Sequence, residues 1–353
     1  MTDRLVVDLA DLGVGDIPVA GAKLARLGEL RQRGFRVPDG YVVTAPALER
    51  WAAPTLGPHL ERLLDELPGD QDGLSRLAAE ARQLIESHPL SGELEAAVRA
   101  AHRRLEARGS EGPLVVAVRS SAVSEDGAVA SFAGQFETHL GVQGPDAVLT
   151  HIRRCWSSQY TPRALDYRRH HGLPQHSFDL AVGVLRLVDA RASGVLFTLD
   201  PATGDRGTMI IEANWGLGES VVSGLVTPDH FAVDRETGHI GERRISTKRL
   251  RLSFDPALAR VAEVPLPADL AEAACLSDDE IAELCRQAAE LERLEGAPQD
   301  VEWVIEEGRP LPTSVVLLQH RPETAWASDP APERKPFDPV GYSLGKVWKV
   351  PGR

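Results

Sequence analysis

The spacing of apolar residues predicts a helix near the start of the chain. Residues 20–34 (AGAKLARLGELRQRG) place leucines one helical turn apart and end in Gly34, which is typical of an amphipathic helix. Residues 37–45 follow with a Pro-Asp-Gly turn and a run of β-favouring residues, so we expect a short strand there.

Helical spacing dominates the next segment. Residues 45–109 carry a repeated apolar face, of which Leu90, Leu94 and Val98 are examples. Residues 145–155 and 161–171 are also predicted to be helical. Short apolar runs near Leu114 and Glu137 predict two strands.

From Leu180 onward, the sequence pattern is typical of β-strands. Apolar runs separated by Gly, Asp and Pro turns predict a mostly antiparallel sheet. One helix interrupts them: Ser277 and Glu280 form a capping box, and Gly296 ends the helix. Helices and antiparallel strands in this order indicate an α+β fold, in which helices pack on mostly antiparallel sheets.

Length and charge narrow the possible partners. A chain of 353 residues can form two or three compact lobes. Its net charge of -13 argues against a nucleic-acid partner, because phosphate neutralisation needs clustered basic residues. The basic run from Arg243 to Arg251 is an exception that we interpret as a solvated strand and loop, with a docking patch as the alternative. No run of eighteen apolar residues occurs, so we expect a cytoplasmic protein without a membrane partner.

The segment from Val116 to Thr138 (VAVRSSAVSEDGAVASFAGQFET) combines a strand with a loop of small residues. The strand delivers Arg119, Ser120 and Ser121 near its end, and a guanidinium beside two hydroxyls suits a polyphosphate. The small residues that follow let a backbone come close to a ligand. An ordinary surface loop is the alternative, and no Walker A spacing is present in the chain.

Lys23 is expected in the first turn of the helix at residues 20–34. A lysine there faces the positive end of the helix dipole, which costs roughly 0.3–1 kcal/mol unless an anion lies nearby. The position therefore indicates a bound phosphate or, alternatively, an exposed lysine that points away.

Residues 300–306 and 313–322 predict a β-hairpin with carboxylates on one face. Asp300 and Glu302 alternate with apolar residues, so their carboxylates lie about 7 Å apart. Their repulsion costs roughly 2 kcal/mol in a partly buried site and about 0.6 in water. If the face is buried a cation is needed there, and oxygen ligands of this kind suit Mg²⁺; if it is exposed, nothing follows.

Four of these segments together resemble the N-terminal ATP-binding domain shared by phosphoenolpyruvate synthase, pyruvate phosphate dikinase and rifampicin phosphotransferase. They are AGAKLARLGEL with GFRVPDGYVVT, VRSSAVSEDGAVASFAGQFET, SGVLFTLDP with EANWGLGESVVSGLVTPDHF, and PQDVEWVIE with LLQHRPET. The resemblance covers about residues 15–325 and implies an ATP-grasp fold with the nucleotide bound between two lobes. We place these lobes at residues 1–180 and 181–325, and we expect residues 326–353 to be a linker or tail.

The resemblance also implies roles for particular residues. Lys23 and Arg119 would contact the nucleotide phosphates, and residues 131–138 would form a glycine-containing lid. Glu302 and Gln319 would bind Mg²⁺. The implied nucleotide-binding set is Lys23, Arg119, Ser131, Gly134, Thr138, Asp300, Glu302, Gln319 and Arg321, of which Lys23, Arg119 and Arg321 would stabilise the transferred group.

In this family the nucleophile is a histidine on a mobile domain, within a TSHAA-like motif. None of the 11 histidines of this sequence has that context. We therefore expect an ATP-binding component of a split dikinase, which binds ATP and Mg²⁺ but turns over poorly alone. It would pass a phosphoryl group to a histidine of a partner protein, with AMP and phosphate as the other products, and the partner would bind the small-molecule acceptor.

Two alternatives to a dikinase component stay open. One is a self-sufficient ATP-grasp ligase that activates a carboxylate, and the other is a non-catalytic nucleotide-binding subunit. The chain also departs from the family at Leu185 and Leu187, where glutamine and methionine are frequent, so adenine recognition is less certain than triphosphate binding.

Overall fold

The computed structural model describes residues 4–109, 112–123, 126–127, 130–131, 136–323 and 326. The chain divides into two compact units. Unit 1 comprises Met1–Asp189, Ser253–Ala262 and Val316–Gln319, and unit 2 comprises Ala190–Leu252, Glu263–Val315 and His320–Arg353. In the described part of the chain, no helix combines the length and apolar character that crossing a membrane requires.

Unit 1 is built on a five-stranded sheet in the order β1-β2-β7-β3-β6. The first seven strands are β1 (Val6–Asp8), β2 (Gly40–Val43), β3 (Val115–Ala122), β4 (Asp126–Gly127), β5 (Ala130–Ser131), β6 (Thr138–Gln143) and β7 (Leu180–Arg186). The helices are α1 (Ile17–Gln32), α2 (Ala45–Ala52), α3 (Gly57–Leu64), α4 (Gln71–Ser87), α5 (Gly92–Ala107), α6 (Pro145–Ser157) and α7 (Pro162–His170). Neighbouring strands of the five-stranded sheet are antiparallel.

One face of this sheet is covered by the helical segments that the sequence predicts. A single hydrophobic cluster joins Val118 of β3 and Val182 of β7 to side chains of α2 through α7. At its centre the rings of Trp51 and Trp156 stack with their centroids 5.1 Å apart. Burial of such aromatic and aliphatic side chains is the main stabilising contribution to this unit.

Helix α1 covers the opposite face and is kinked at Gly21. Gly21 has φ +71° and ψ 162°, so the helix starts again after it. A Cβ at Gly21 would lie 2.2 Å from the carbonyl oxygen of Ser121, so only glycine fits here. The helix ends as predicted: Gly34 has φ +89°, and Phe35 N donates to Leu30 O at 3.0 Å.

Unit 2 contains most of a six-stranded sheet in the order β11-β10-β9-β8-β14-β15. The remaining strands are β8 (Ala190–Phe197), β9 (Thr208–Trp215), β10 (Asp229–Asp234), β11 (Ile240–Arg244), β12 (Leu250–Asp255), β13 (Arg260–Pro265), β14 (Gln299–Glu306) and β15 (Val315–Pro322). The remaining helices are α8 (Glu219–Val222), α9 (Ala268–Ala271) and α10 (Asp278–Glu295). The predicted mixture of antiparallel sheets and packed helices is confirmed.

Helix α10 agrees closely with its sequence signals. Ser277 Oγ accepts from Glu280 N, the Glu280 carboxylate accepts from Ser277 N, and Gly296 adopts the left-handed conformation that ends the helix. The helix buries Ile281 and Leu284, as its apolar stripe predicts. Local signals therefore fix both ends of this helix.

The basic run from Arg243 to Arg251 contains a lysine that is not solvated. The side chains of Lys248 and Asp229 are both fully buried, with Nζ 2.5 Å from Oδ1. The other carboxylate oxygen of Asp229 accepts from Cys275 N at 2.9 Å. Pairing offsets part of the cost of burying these two charges, and the prediction of a wholly solvated segment is wrong at Lys248.

We expect Gly21→Ala to lower the free energy of unfolding by more than about 2 kcal/mol, because left-handed backbone strain adds to overlap with Ser121. Gly15→Ala is the matched control, since no atom lies within 4 Å of a Cβ at Gly15. Urea unfolding of the two variants measures the difference. Equal stability of both variants would show that the kink does not need glycine.

Candidate functional site

Arg119 lies at the centre of the candidate site in unit 1. It stands on β3, with Thr138 of β6 and Gly183 of β7 as its register partners. Paired residues project to the same side of a sheet, so Arg119 and Thr138 share the face opposite the α2–α7 layer. Gly183 has no side chain, and Leu24 of α1 occupies the space in front of it, 2.6 Å from an ideal Cβ position.

The Arg119 guanidinium contacts the segment Val316–Gln319, which also belongs to unit 1. Nη1 donates to Leu318 O at 3.3 Å, and Nη2 donates to Gln319 Oε1. Nε is buried and has no hydrogen-bond partner among the described residues. Because a guanidinium stays charged and a buried donor without a partner is costly, this N–H suits an anionic oxygen.

Lys23 lies in the first helical turn after the kink of α1. This position agrees with the prediction that Lys23 lies in the first turn of a helix. The next residue, Leu24, donates its backbone N–H to Ser121 Oγ at 3.3 Å. Ser121 lies two positions after Arg119 and thus on the same face of β3. The turn with Lys23 therefore packs on the strand that presents Arg119.

The two serines that follow Arg119 act within the protein. Ser120 Oγ donates to Glu137 O at 3.1 Å, and Ser121 Oγ caps the resumed helix. Both side chains are buried. The prediction that both hydroxyls are presented to a polyphosphate is wrong, since contacts with distant parts of the chain use them.

A charged cluster lies behind the site, on the helix-covered face. Arg82 of α4 donates to Glu137 Oε1 at 2.6 Å, and His139 Nε2 lies 3.4 Å from Glu137 Oε2. The neighbouring His139 ring and then the hydrogen bond from Arg82 hold the pKa of Glu137 at about 2. Burial lowers the pKa of His151, whose ring lies 4.6 Å from that of His139, to about 4. Glu137 is therefore ionised and His151 neutral near neutral pH.

Unit 2 holds Asp300, Glu302 and Arg321 of the candidate set. Arg321 donates from Nε and Nη2 to Asp300 Oδ2, both at 2.8 Å. Since the Asp300 side chain is only 12% exposed, the cation that a buried carboxylate needs is this guanidinium. Apolar residues of β14 alternate into the core as predicted, and Val301 and Trp303 are buried.

Glu302 is half-buried, and its side chain forms no hydrogen bond or ion pair with any residue that the structure describes. It belongs to a row of register partners that runs through Val195 and Glu212 to His230. Glu212 Oε1 lies 3.9 Å from His230 Nδ1. This acid–histidine pair is not among the residues predicted from the sequence, although an acid within the apolar strand TMIIEANW was a signal that could have found it.

The predicted lid is described only in part. Thr138 begins β6 and is exposed, and the backbone of Ser131 ends β5. Gly134 lies outside the described residues. Of the predicted set, the structure therefore brings together Arg119, Thr138 and Gln319 in unit 1, and separately Asp300 and Arg321 in unit 2.

The two predicted metal ligands, Glu302 in unit 2 and Gln319 in unit 1, carry oxygen donors of the type that hard divalent cations bind. The Glu302 carboxylate has no partner among the described residues, and the amide oxygen of Gln319 has a second lone pair beside its bond to Arg119. Among the described residues no three His, Cys, Asp or Glu side chains converge on one cation position. Mg²⁺ that is bound together with a nucleotide usually takes several of its ligands from phosphate and water oxygens.

Comparison with known proteins identifies the family. Residues 17–338 match the family described as pyruvate phosphate dikinase, AMP/ATP-binding domain. A rifampicin phosphotransferase from a Streptomyces species is 41% identical over 337 residues, which cover 95% of this chain and 37% of that protein. A probable phosphoenolpyruvate synthase from Staphylothermus marinus is 36% identical over 347 residues, covering 92% of this chain and 42% of that protein.

A phosphoenolpyruvate synthase from Aeropyrum pernix is 36% identical over 375 residues, covering 98% of this chain and 46% of that protein. This chain thus spans about two fifths of the length of these relatives. The match along residues 17–338 includes all four motifs on which the resemblance rests. The chain belongs to the family of pyruvate phosphate dikinase AMP/ATP-binding domains.

Proposed function

We propose that this chain is the ATP-binding component of a dikinase-type phosphotransferase with an ATP-grasp fold. The observation that carries the proposal is Arg119, whose buried Nε has no protein partner in the described part of the chain and which lies within the residues that match the family. The relatives are named as phosphotransferases or phosphoenolpyruvate synthases, which supports the same reaction class.

The proposed reaction takes ATP, water and a histidine to AMP, phosphate and phosphohistidine, with release of a proton. Two phosphoanhydride bonds break. One phosphoryl group is transferred to the histidine, and the other is transferred to water. We propose that the accepting histidine belongs to a separate partner protein. The partner would also bind the final small-molecule acceptor.

The chain's own contribution would be positioning and charge stabilisation. Arg119 and Lys23 would bind phosphate oxygens in unit 1, with Thr138, Ser131 and Gly134 in the lid that covers them. Phosphoryl transfer spreads negative charge over the equatorial oxygens, so fixed cations lower its barrier without covalent participation.

On the metal side, we propose that Glu302 and Gln319 hold Mg²⁺ and that Arg321 binds a phosphate oxygen. Bound Mg²⁺ would neutralise charge on the phosphates. Arg321 keeps Asp300 paired, and a guanidinium has enough donors to serve both a carboxylate and a phosphate. Asp300 would thus fix the orientation of Arg321.

We expect Arg119→Met to weaken ATP binding about 10- to 100-fold, because it removes charged hydrogen bonds to phosphate. Isothermal titration calorimetry with Mg²⁺ and ATP measures this change. Arg99→Met is the control, since Arg99 pairs with Glu95 and Asp146 on the helical side of unit 1 and should leave affinity unchanged. Equal affinities of the wild type and Arg119→Met would count against Arg119 as a phosphate ligand.

Glu302→Gln should raise the Mg²⁺ concentration needed for half-maximal ATP binding at least about tenfold, because a neutral amide is a weaker ligand for a hard cation. A Mg²⁺ titration at fixed ATP measures this value. Glu306→Gln is the matched control on the same strand, where Glu306 pairs with Arg309. If both variants need the same Mg²⁺ concentration as the wild type, Glu302 is not a metal ligand.

The reaction class is tested by mixing the chain with ATP, Mg²⁺ and a protein that carries a glycine-rich phosphohistidine motif. We expect AMP and phosphate to form in equal amounts when the partner is present. Without the partner, neither product should form at a comparable rate. Chromatography of the nucleotide products distinguishes AMP from ADP. ADP as the sole nucleotide product would contradict dikinase chemistry, and ADP formed without the partner would instead support a ligase.

A further inference from the structure

The helical segment at residues 45–109 contains none of the four sequence segments on which the resemblance rests, yet one of its side chains reaches the edge of the candidate site. Arg82 of α4 donates to Glu137 Oε1 at 2.6 Å, across 55 residues of sequence. The same guanidinium lies 3.5 Å from Glu86, which accepts from Ser157 Oγ of α6 at 2.6 Å. Arg82 thereby connects two helices to the start of β6.

Glu137, which Arg82 contacts, is the immediate neighbour of Thr138. Glu137 and His139 stand on either side of it and project to the helix-covered face, where their side chains lie 3.4 Å apart. Thr138 itself projects to the other face, beside its register partner Arg119. A shift of the strand that displaced Thr138 would therefore break the contact of Glu137 with Arg82.

The main chain of Glu137 also connects Arg82 to the strand that carries Arg119. Glu137 O accepts from both the backbone N of Ser120 at 3.4 Å and Ser120 Oγ at 3.1 Å. Ser120 directly follows Arg119 on β3. The position of Glu137 is thus transmitted to Arg119, which we assign to the phosphates, and to Thr138, which we assign to the lid over them.

The exposure of the pair favours a positioning role over a purely stabilising one. The side chains of Arg82 and Glu137 are 27% and 32% exposed. Ion pairs with this access to water usually contribute little to the free energy of unfolding. Fixing two ligand-binding residues to within a fraction of an ångström can nevertheless change affinity, because misplaced donors lose their hydrogen bonds to phosphate.

We propose that Arg82 is a positioning residue for the polyphosphate end of the nucleotide site, acting through Glu137 on Thr138 and Arg119. This inference rests on the proposed function. It concerns the contacts of the β- and γ-phosphates, which ATP carries and AMP lacks. ATP and AMP therefore serve as paired probes.

The test compares the wild type with Arg82→Met by calorimetric titration with Mg²⁺ and ATP and, separately, with AMP. We expect ATP affinity to fall about threefold to tenfold while AMP affinity stays the same. Arg82→Lys should recover part of the loss, because it keeps the charge. Arg50→Met is the control within the same helical segment, where it breaks the exposed Arg50–Glu93 pair and should change neither affinity.

Glu137→Gln should reproduce the loss of ATP affinity, and the double variant should lose no more than either single one. Unchanged ATP affinity in Arg82→Met, while the wild type binds ATP, would overturn the positioning role alone. Equal losses for ATP and AMP with a lower melting temperature would also overturn it, by showing a general structural effect. Failure of the wild type to bind ATP would overturn the proposed function and this inference together.

Discussion

The positive charge of Arg119 is the constraint around which the candidate site of unit 1 is arranged. A guanidinium cannot lose its proton, so each buried N–H needs an oxygen. Leu318 and Gln319 supply two, and Nε has none among the described residues. Anion binding would satisfy this donor, and the same interaction would place the anion next to the amide oxygen of Gln319.

The surrounding residues are those that let Arg119 occupy this position. Gly183 leaves room for Leu24 of α1, so the turn with Lys23 packs on the same face of the sheet. On the opposite face the hydrogen bonds of Glu137 hold the main chain of Ser120. The family to which the chain belongs binds AMP or ATP by its description, and this arrangement gives a physical basis for the phosphate contacts that we propose.

Elements with strong local signals could be predicted from the sequence. The end of α1 at Gly34, the capped helix α10 and the alternation along β14 follow from glycine conformation, capping and period-two burial. Contacts between distant residues could not be predicted. Ser121 is a helix cap that lies 97 residues from Leu24, Lys248 is buried because Asp229 lies beside it, and Arg82 meets Glu137 only in the folded chain. No periodicity encodes such pairings.

The central claim is that Arg119 binds the phosphates of the nucleotide, and a crystal structure of the chain with Mg²⁺ and a non-hydrolysable ATP analogue tests it most directly. The account predicts a phosphate oxygen within hydrogen-bond distance of Arg119 Nε, with the metal ion bound to Gln319 Oε1 and a Glu302 carboxylate oxygen. A triphosphate bound elsewhere, with Arg119 Nε still without an anionic partner, would contradict it.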